Sequence, residues 1–160
     1  DVIIHEIGHV LGIGTLWNQP PNTLRIFTAT DSVTFNGAAA VAAFLANGGN
    51  TFAGPPVPVE NCKTSAGVPI PQCGAGTQDS HWREAVLGRE LMTGFISAPG
   101  TSNPLSAVTI QSLADMGYTV NVGVADGYTV GLKPIPGMEA ATIHLKEAKP
   151  DWPVQILNGQ

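Results

Sequence analysis

The chain has little charge. Only 12% of its 160 residues are Asp, Glu, Lys or Arg, and the formal net charge is −5. Its seven basic residues form no cluster, which excludes the basic footprint a nucleic-acid surface requires. Long apolar runs are also missing. Nothing reaches the roughly 18 consecutive apolar residues needed to cross a bilayer. The longest run, AAAVAAFLA (38–46), is too short to span and reads as a buried helix. No signal peptide is visible, and the chain opens one residue ahead of its most chemically loaded helix. Asp1 is therefore read as the edge of a fragment with upstream sequence missing.

Cysteine is scarce as well. Cys62 and Cys73 are the only two, eleven positions apart in a Gly/Pro-rich stretch. They could close a small loop as a disulfide or be two unrelated thiols. Low charge, few Lys and a loop-rich composition favour the oxidised, extracellular reading. What the chain does have is a 43% hydrophobic fraction, so it is no solvated, disordered segment. Nineteen Gly and thirteen Pro make a fifth of it, against an average of about 12%. That excess predicts short regular elements joined by many loops, within one domain or the larger part of one.

Residues 2–13 place Ile3, Ile7, Val10 and Leu11 at helical spacing, and Gly12 and Gly14 stop the helix. Residues 18–34 are polar and irregular, with Pro20-Pro21 marking a turn. A second helix is expected over 37–47, and 53–79 reads as nearly all loop. A short helix follows at 82–88, then a turn at ELMTG (90–94). The next helix covers 107–116, with Ser106 as N-cap and Gly117 at C′. YTVNVGV (118–124) alternates like a strand. Residues 129–160 lose strong pattern and read as a tail, a linker or the start of another module.

The opening nonapeptide DVIIHEIGH contains His-Glu-x-x-His. Residues four apart share a helix face, so His5 and His9 can offer imidazole nitrogens to one ion. Glu6 lies beside that pair but is turned aside from it. It could take a proton from an activated water and return it to a leaving amine. The bland alternative is that both histidines are ordinary helix residues bonded to backbone or water. A catalytic zinc takes three protein ligands and keeps a fourth position open. In the compact motif His-Glu-x-x-His-x-x-Gly-x-x-His the third His follows the Gly by three. Gly12 is in place, but position 15 is Thr. Only His81 and His144 remain. His144 sits in the weakly patterned tail, whereas His81 precedes Met92 by eleven residues, and Met92 lies in the tight ELMTG turn. A methionine in a turn beneath the metal is the second half of the metzincin signature.

HEIGHVLGIG, a long insertion, SHWREAVLGRELMTGF and LSAVTIQSLADMGYTVN together resemble the leishmanolysin family of zinc metalloproteases. In that metzincin branch a large insertion separates the glycine from the third histidine, and here His9 to His81 is 72 positions. The resemblance covers residues 1–128. It implies an α+β, metzincin-like zincin fold, here the active-site helix and a loop-rich C-terminal subdomain without its N-terminal subdomain. By the same resemblance His5, His9 and His81 are ligands of one catalytic Zn2+, Glu6 is the general base and Met92 is the Met-turn methionine. VPVEN (57–61) and GAGTQDSHW (74–82) look like the family's approach to the third His. CKTSAGVPIPQC between them would be an extra loop closed by Cys62–Cys73. Asp79, Glu84 and Glu90 are expected to be solvated or structural.

The implied activity is hydrolysis of peptide bonds in a protein or peptide substrate, by a secreted or cell-surface endopeptidase. Without an upstream sheet, the apolar face of the first helix is expected to be partly bare. Two rivals remain. In a gluzincin-type metallopeptidase Glu84 or Glu90 would replace His81 as third ligand. In a non-catalytic adhesion or binding module the zinc would be structural.

Overall fold

The computed structural model describes residues 1–27, 32–64, 66–71, 73, 76–131 and 143–144, with Phe52 and the last two described by backbone only. Helix and strand are mixed, as an α+β chain requires. In order come α1 (Val2–Val10), β1 (Arg25–Phe27), β2 (Val33–Phe35), α2 (Ala38–Ala46), α3 (Gly49–Phe52) and β3 (Val57–Pro58). They are followed by α4 (Glu84–Leu87), β4 (Phe95–Ile96), α5 (Ala107–Asp115), a 3-10 turn at Val122–Val124 and β5 (Ile143–His144). β1, β2 and β3 form an antiparallel sheet with β2 central. β4 pairs antiparallel with β5. Among the described residues no helix is long and apolar enough to cross a membrane.

The core forms where the sheet, α2, α4 and α5 meet. Trp17, Phe35 and Trp82, none of them solvent-exposed, pack ring to ring at centroid separations of 4.8–5.4 Å. Phe44, Val57, Val59, Leu87 and Val108 close around them. Burying a side chain such as Phe44 stabilises by about 2 kcal/mol over leaving it in water. Helix α2 has no capping side chain of its own. The carboxylate of Asp115, the last residue of α5, accepts from Ala39 N and Ala40 N at 2.9 Å each. A negative charge there satisfies two orphan donors and complements the helix dipole, and it locks α5 onto α2. Ser106 caps α5 by accepting from Thr109 N, and Gly117 ends the helix at φ +98°; both agree with the sequence signals.

Three expectations need correction. The first helix stops at Val10 rather than residue 13, and Gly12 turns the chain at φ +110°. Its apolar side is bare, in agreement with expectation: Ile3 is 76% and Val10 83% exposed, while His5 is fully buried. Periodicity identifies a face of a helix but not the direction it points. Residues 118–124 are no strand. Tyr118 and Val124 are exposed, no neighbouring strand among the described residues supplies hydrogen bonds, and the Asn121 side chain caps a 3-10 turn by accepting from Gly123 N. Finally, the stretches read as irregular contain β1, β2 and β3, each too short for alternation to register.

Beyond residue 128 the chain is still tied to the core. Val130 is buried and its N–H donates to Asn47 O, and Gly131 N donates to Val86 O. Most of the expected tail, 132–142 and 145–160, lies outside the described residues. Cys62 and Cys73 are joined as a disulfide across a Cα separation of 5.4 Å.

Candidate metal centre

Helix α1 stacks His5 and His9 one turn apart, with their Nε2 atoms 3.1 Å from each other. The third imidazole arrives from 72 positions away. His81 Nε2 lies 3.0 Å from His9 Nε2 and 3.2 Å from His5 Nε2. These three residues therefore form a group that could hold one metal ion. His5 and His81 are fully buried and His9 is half-buried, so the group meets solvent on the His9 side.

The other ring nitrogens determine which atoms are available. His5 Nδ1 is 2.7 Å from Leu91 O, His9 Nδ1 is 2.8 Å from Ile13 O, and His81 Nδ1 is 3.0 Å from Thr77 O. A carbonyl only accepts, so each Nδ1 carries the proton and each Nε2 turns a lone pair inward. Three converging lone pairs repel one another unless a cation lies among them. With these tautomers the short Nε2 separations suit a shared cation better than hydrogen bonds among histidines. Carbonyl partners of this kind orient metal-binding imidazoles and raise their basicity.

His81 is fixed by the residue after it. Trp82 N donates to Met92 O and its Nε1 donates to Thr109 Oγ1 at 2.8 Å. The His81 carbonyl accepts from Glu60 N. The loop carrying the third imidazole is thereby clamped between the extension of β3 and the turn around Met92. Close backbone approach completes the clamp. A Cβ on Gly14, whose φ is +73°, would overlap the Ser80 carbonyl immediately before His81. A Cβ on Gly8 would stand 2.6 Å from Met92 Sδ. Met92, 1% exposed, therefore lies against α1 between the two helical histidines.

Glu6 is exposed on α1 and is not a member of the three-histidine group. Thr15, where the compact motif would place its last ligand, instead donates its hydroxyl to His9 O. The backbone of His144 pairs with Phe95 in the β4–β5 ladder. Among the described residues, neither Glu84 nor Glu90 joins His5 and His9 in a group able to share an ion. Glu90 is fully buried and accepts from Met92, Ser106 and Thr109. Burial pushes its carboxyl up, against the pull of those donors. Burial likewise pushes Glu84 up to about 8, with like-charge repulsion from Glu60 and Glu90 adding to it and a bond to Thr93 opposing it. Asp79 takes a positive φ and its carbonyl accepts from Arg25 at 2.6 Å.

Glu60, Cys62 and Cys73 also lie close together. The sulfurs are committed to the disulfide, and the two Glu60 oxygens accept from Cys62 N and Glu84 N. That group is a structural node, with Glu60 raised chiefly by burial and lowered by those donors and Arg83. From the sequence alone Gly14 reads only as a helix stop, and Gly8 and Glu60 have no part in the site. A glycine in an apolar helix and a lone Glu in a loop carry no local sign of what they touch. No protein-family model, curated protein or solved structure matches this chain.

Proposed function

We propose that the chain carries the catalytic centre of a zinc endopeptidase of the leishmanolysin-like, metzincin type. The observation that carries the proposal is the meeting of the three imidazole Nε2 atoms at 3.0–3.2 Å. Tetrahedral zinc with Zn–N bonds of about 2.0–2.1 Å asks for nitrogen separations of about 3.3 Å. Neutral imidazoles are a suitable donor set for it, and three protein ligands leave one position open.

When bound, zinc supplies Lewis acidity, which makes water a nucleophile at neutral pH and polarises a carbonyl. The chain's own residues do the rest. His5, His9 and His81 hold their lone pairs inward because Leu91, Ile13 and Thr77 carbonyls keep the protons on Nδ1. The Glu6 carboxylate takes a proton from the attacking water and delivers it to the leaving amine as the peptide bond breaks. Its exposed position beside His5, outside the ligand group, suits that role. Met92 fills the floor under α1 and keeps water from it. The bare apolar side of α1, with Ile3, Ile4, Ile7 and Val10 flanking Glu6, suits contact with a peptide or a further layer of protein. The Cys62–Cys73 bridge supports an extracellular or cell-surface setting.

The test compares wild type, Glu6→Gln and His81→Ala for bound zinc and for cleavage of a denatured protein substrate. Glu6→Gln should keep its zinc and lose about 10²–10⁴-fold in turnover, the usual contribution of a general base. His81→Ala should lose zinc as well. Full cleavage by Glu6→Gln would rule out this mechanism. A zinc-loaded wild type that cleaves nothing would turn the reading to a structural zinc.

A further inference from the structure

Behind the three histidines a series of buried polar contacts converges on one carboxylate. Glu90 is 0% exposed. Its Oε2 accepts from Met92 N at 2.6 Å. Its Oε1 accepts from Ser106 N at 3.1 Å, from Ser106 Oγ at 2.6 Å and from Thr109 Oγ1. Thr109 Oγ1 in turn accepts from Trp82 Nε1. A single side chain therefore joins the Met92 turn, the N-cap of α5 and the residue that follows His81.

Two of those connections lead to candidate ligands, the Met92 turn to His5 and Trp82 to His81. Leu91 lies between Glu90 and Met92, and its carbonyl accepts the Nδ1 proton of His5 at 2.7 Å. Met92 presses its sulfur against α1 at Gly8, between His5 and His9, while its carbonyl accepts from Trp82 N. Core packing alone does not call for a carboxylate. A buried anion costs several kcal/mol unless donors surround it, and an apolar side chain of similar size would fill the same space. What a carboxylate does here is accept from four donors on two segments at once, and reach a third, at Trp82, through Thr109.

We propose that Glu90 is the positioning residue of the metal centre, holding the Leu91 carbonyl against His5 and, through Thr109 and Trp82, fixing the approach of His81. It acts on the ion without touching it. The proposal rests on the three histidines binding a metal ion, and is independent of whether the bound ion hydrolyses peptides.

Glu90→Gln is the discriminating change. If the amide oxygen stays with Ser106 and Thr109, the amide NH2 faces Met92 N–H, donor against donor. The turn carrying Leu91 O is then released while volume is kept. Zinc affinity would be read by competition with a chromophoric chelator, and site geometry by the visible spectrum of the cobalt-loaded protein. The expected result is a folded variant with zinc affinity lowered about 10–100-fold, the usual effect of removing such a supporting contact, and an altered cobalt spectrum. Thr109→Val, which cuts only the path to Trp82, should shift the same two readouts by less and serves if Glu90→Gln does not fold. Phe44→Leu, a remote core change, should lower the melting temperature yet leave affinity and spectrum as in wild type. A folded Glu90→Gln or Thr109→Val with wild-type affinity and spectrum would overturn the positioning role. Failure of the wild type to bind zinc or cobalt would overturn the metal reading, and this inference with it.

Discussion

Glu84 opens helix α4 with its Oε2 buried and without a hydrogen-bond partner among the described residues. Its ionised form is disfavoured by burial first and then by the like charges of Glu60 and Glu90, and only a bond to Thr93 favours it, so its pKa stands at about 8 against a usual 4.5. In the folded protein the carboxyl is therefore mostly neutral at pH 7. In the unfolded chain it ionises near the usual value. Because the folded pKa is the raised one, its contribution to stability is fully present below the unfolded value. That contribution fades as pH climbs through the interval up to the folded value. Glu84→Gln keeps the shape and removes the titration. Linkage over that interval gives a loss for wild type, relative to the variant, of about 4 kcal/mol between about pH 5 and about pH 9, most of it before about pH 8. The assay is urea unfolding of both proteins across that range, with a chelator present so that metal binding adds nothing. Subtracting the two curves cancels groups whose surroundings are unchanged. Stability curves that run parallel to within about 1 kcal/mol would refute the reasoning, because they would mean that water or a counter-charge reaches Glu84.

Two further outcomes are expected. Gly14→Ala combines a positive φ with overlap on the Ser80 carbonyl, so it should destabilise by about 3 kcal/mol or more and weaken zinc binding by displacing His81. A melt with an unchanged midpoint would show that the backbones part easily. Replacing Cys62 and Cys73 together by Ser opens an eleven-residue separation and should cost about 2–3 kcal/mol. Zinc affinity should stay close to wild type, as titration would show, because the bridge braces a loop and does not touch the histidines.

Several parts of the molecule were legible before any coordinates. Helices α2 and α5 announced themselves by apolar runs bounded by Gly37, Asn47, Ser106 and Gly117, all of them local signals. His5, Glu6 and His9 were legible because helical spacing is also local. His81, Met92 and the disulfide were singled out by resemblance and by the scarcity of alternatives, and the structure brings His81 to within 3.0 Å of His9. The apparent strand over 118–124 misled because alternation describes a ribbon and says nothing of a partner for it. The bare side of α1 at Ile3 and Val10 was expected from the resemblance and not from periodicity, which does not tell that the buried side is the one bearing His5 and Gly8.

By itself the sequence determined which side chains could meet an ion and where short helices begin and end, because capping, helical spacing and residue chemistry act over a few positions. Tertiary structure alone decided that three imidazoles face one point. That convergence depends on the Leu91, Ile13 and Thr77 carbonyls, on Trp82 clamped between strand and turn, and on Glu90 joining segments 16 and 19 positions apart. Backbone carbonyls are the same in every residue, so no pattern of side chains can show where they point until the chain has closed on itself.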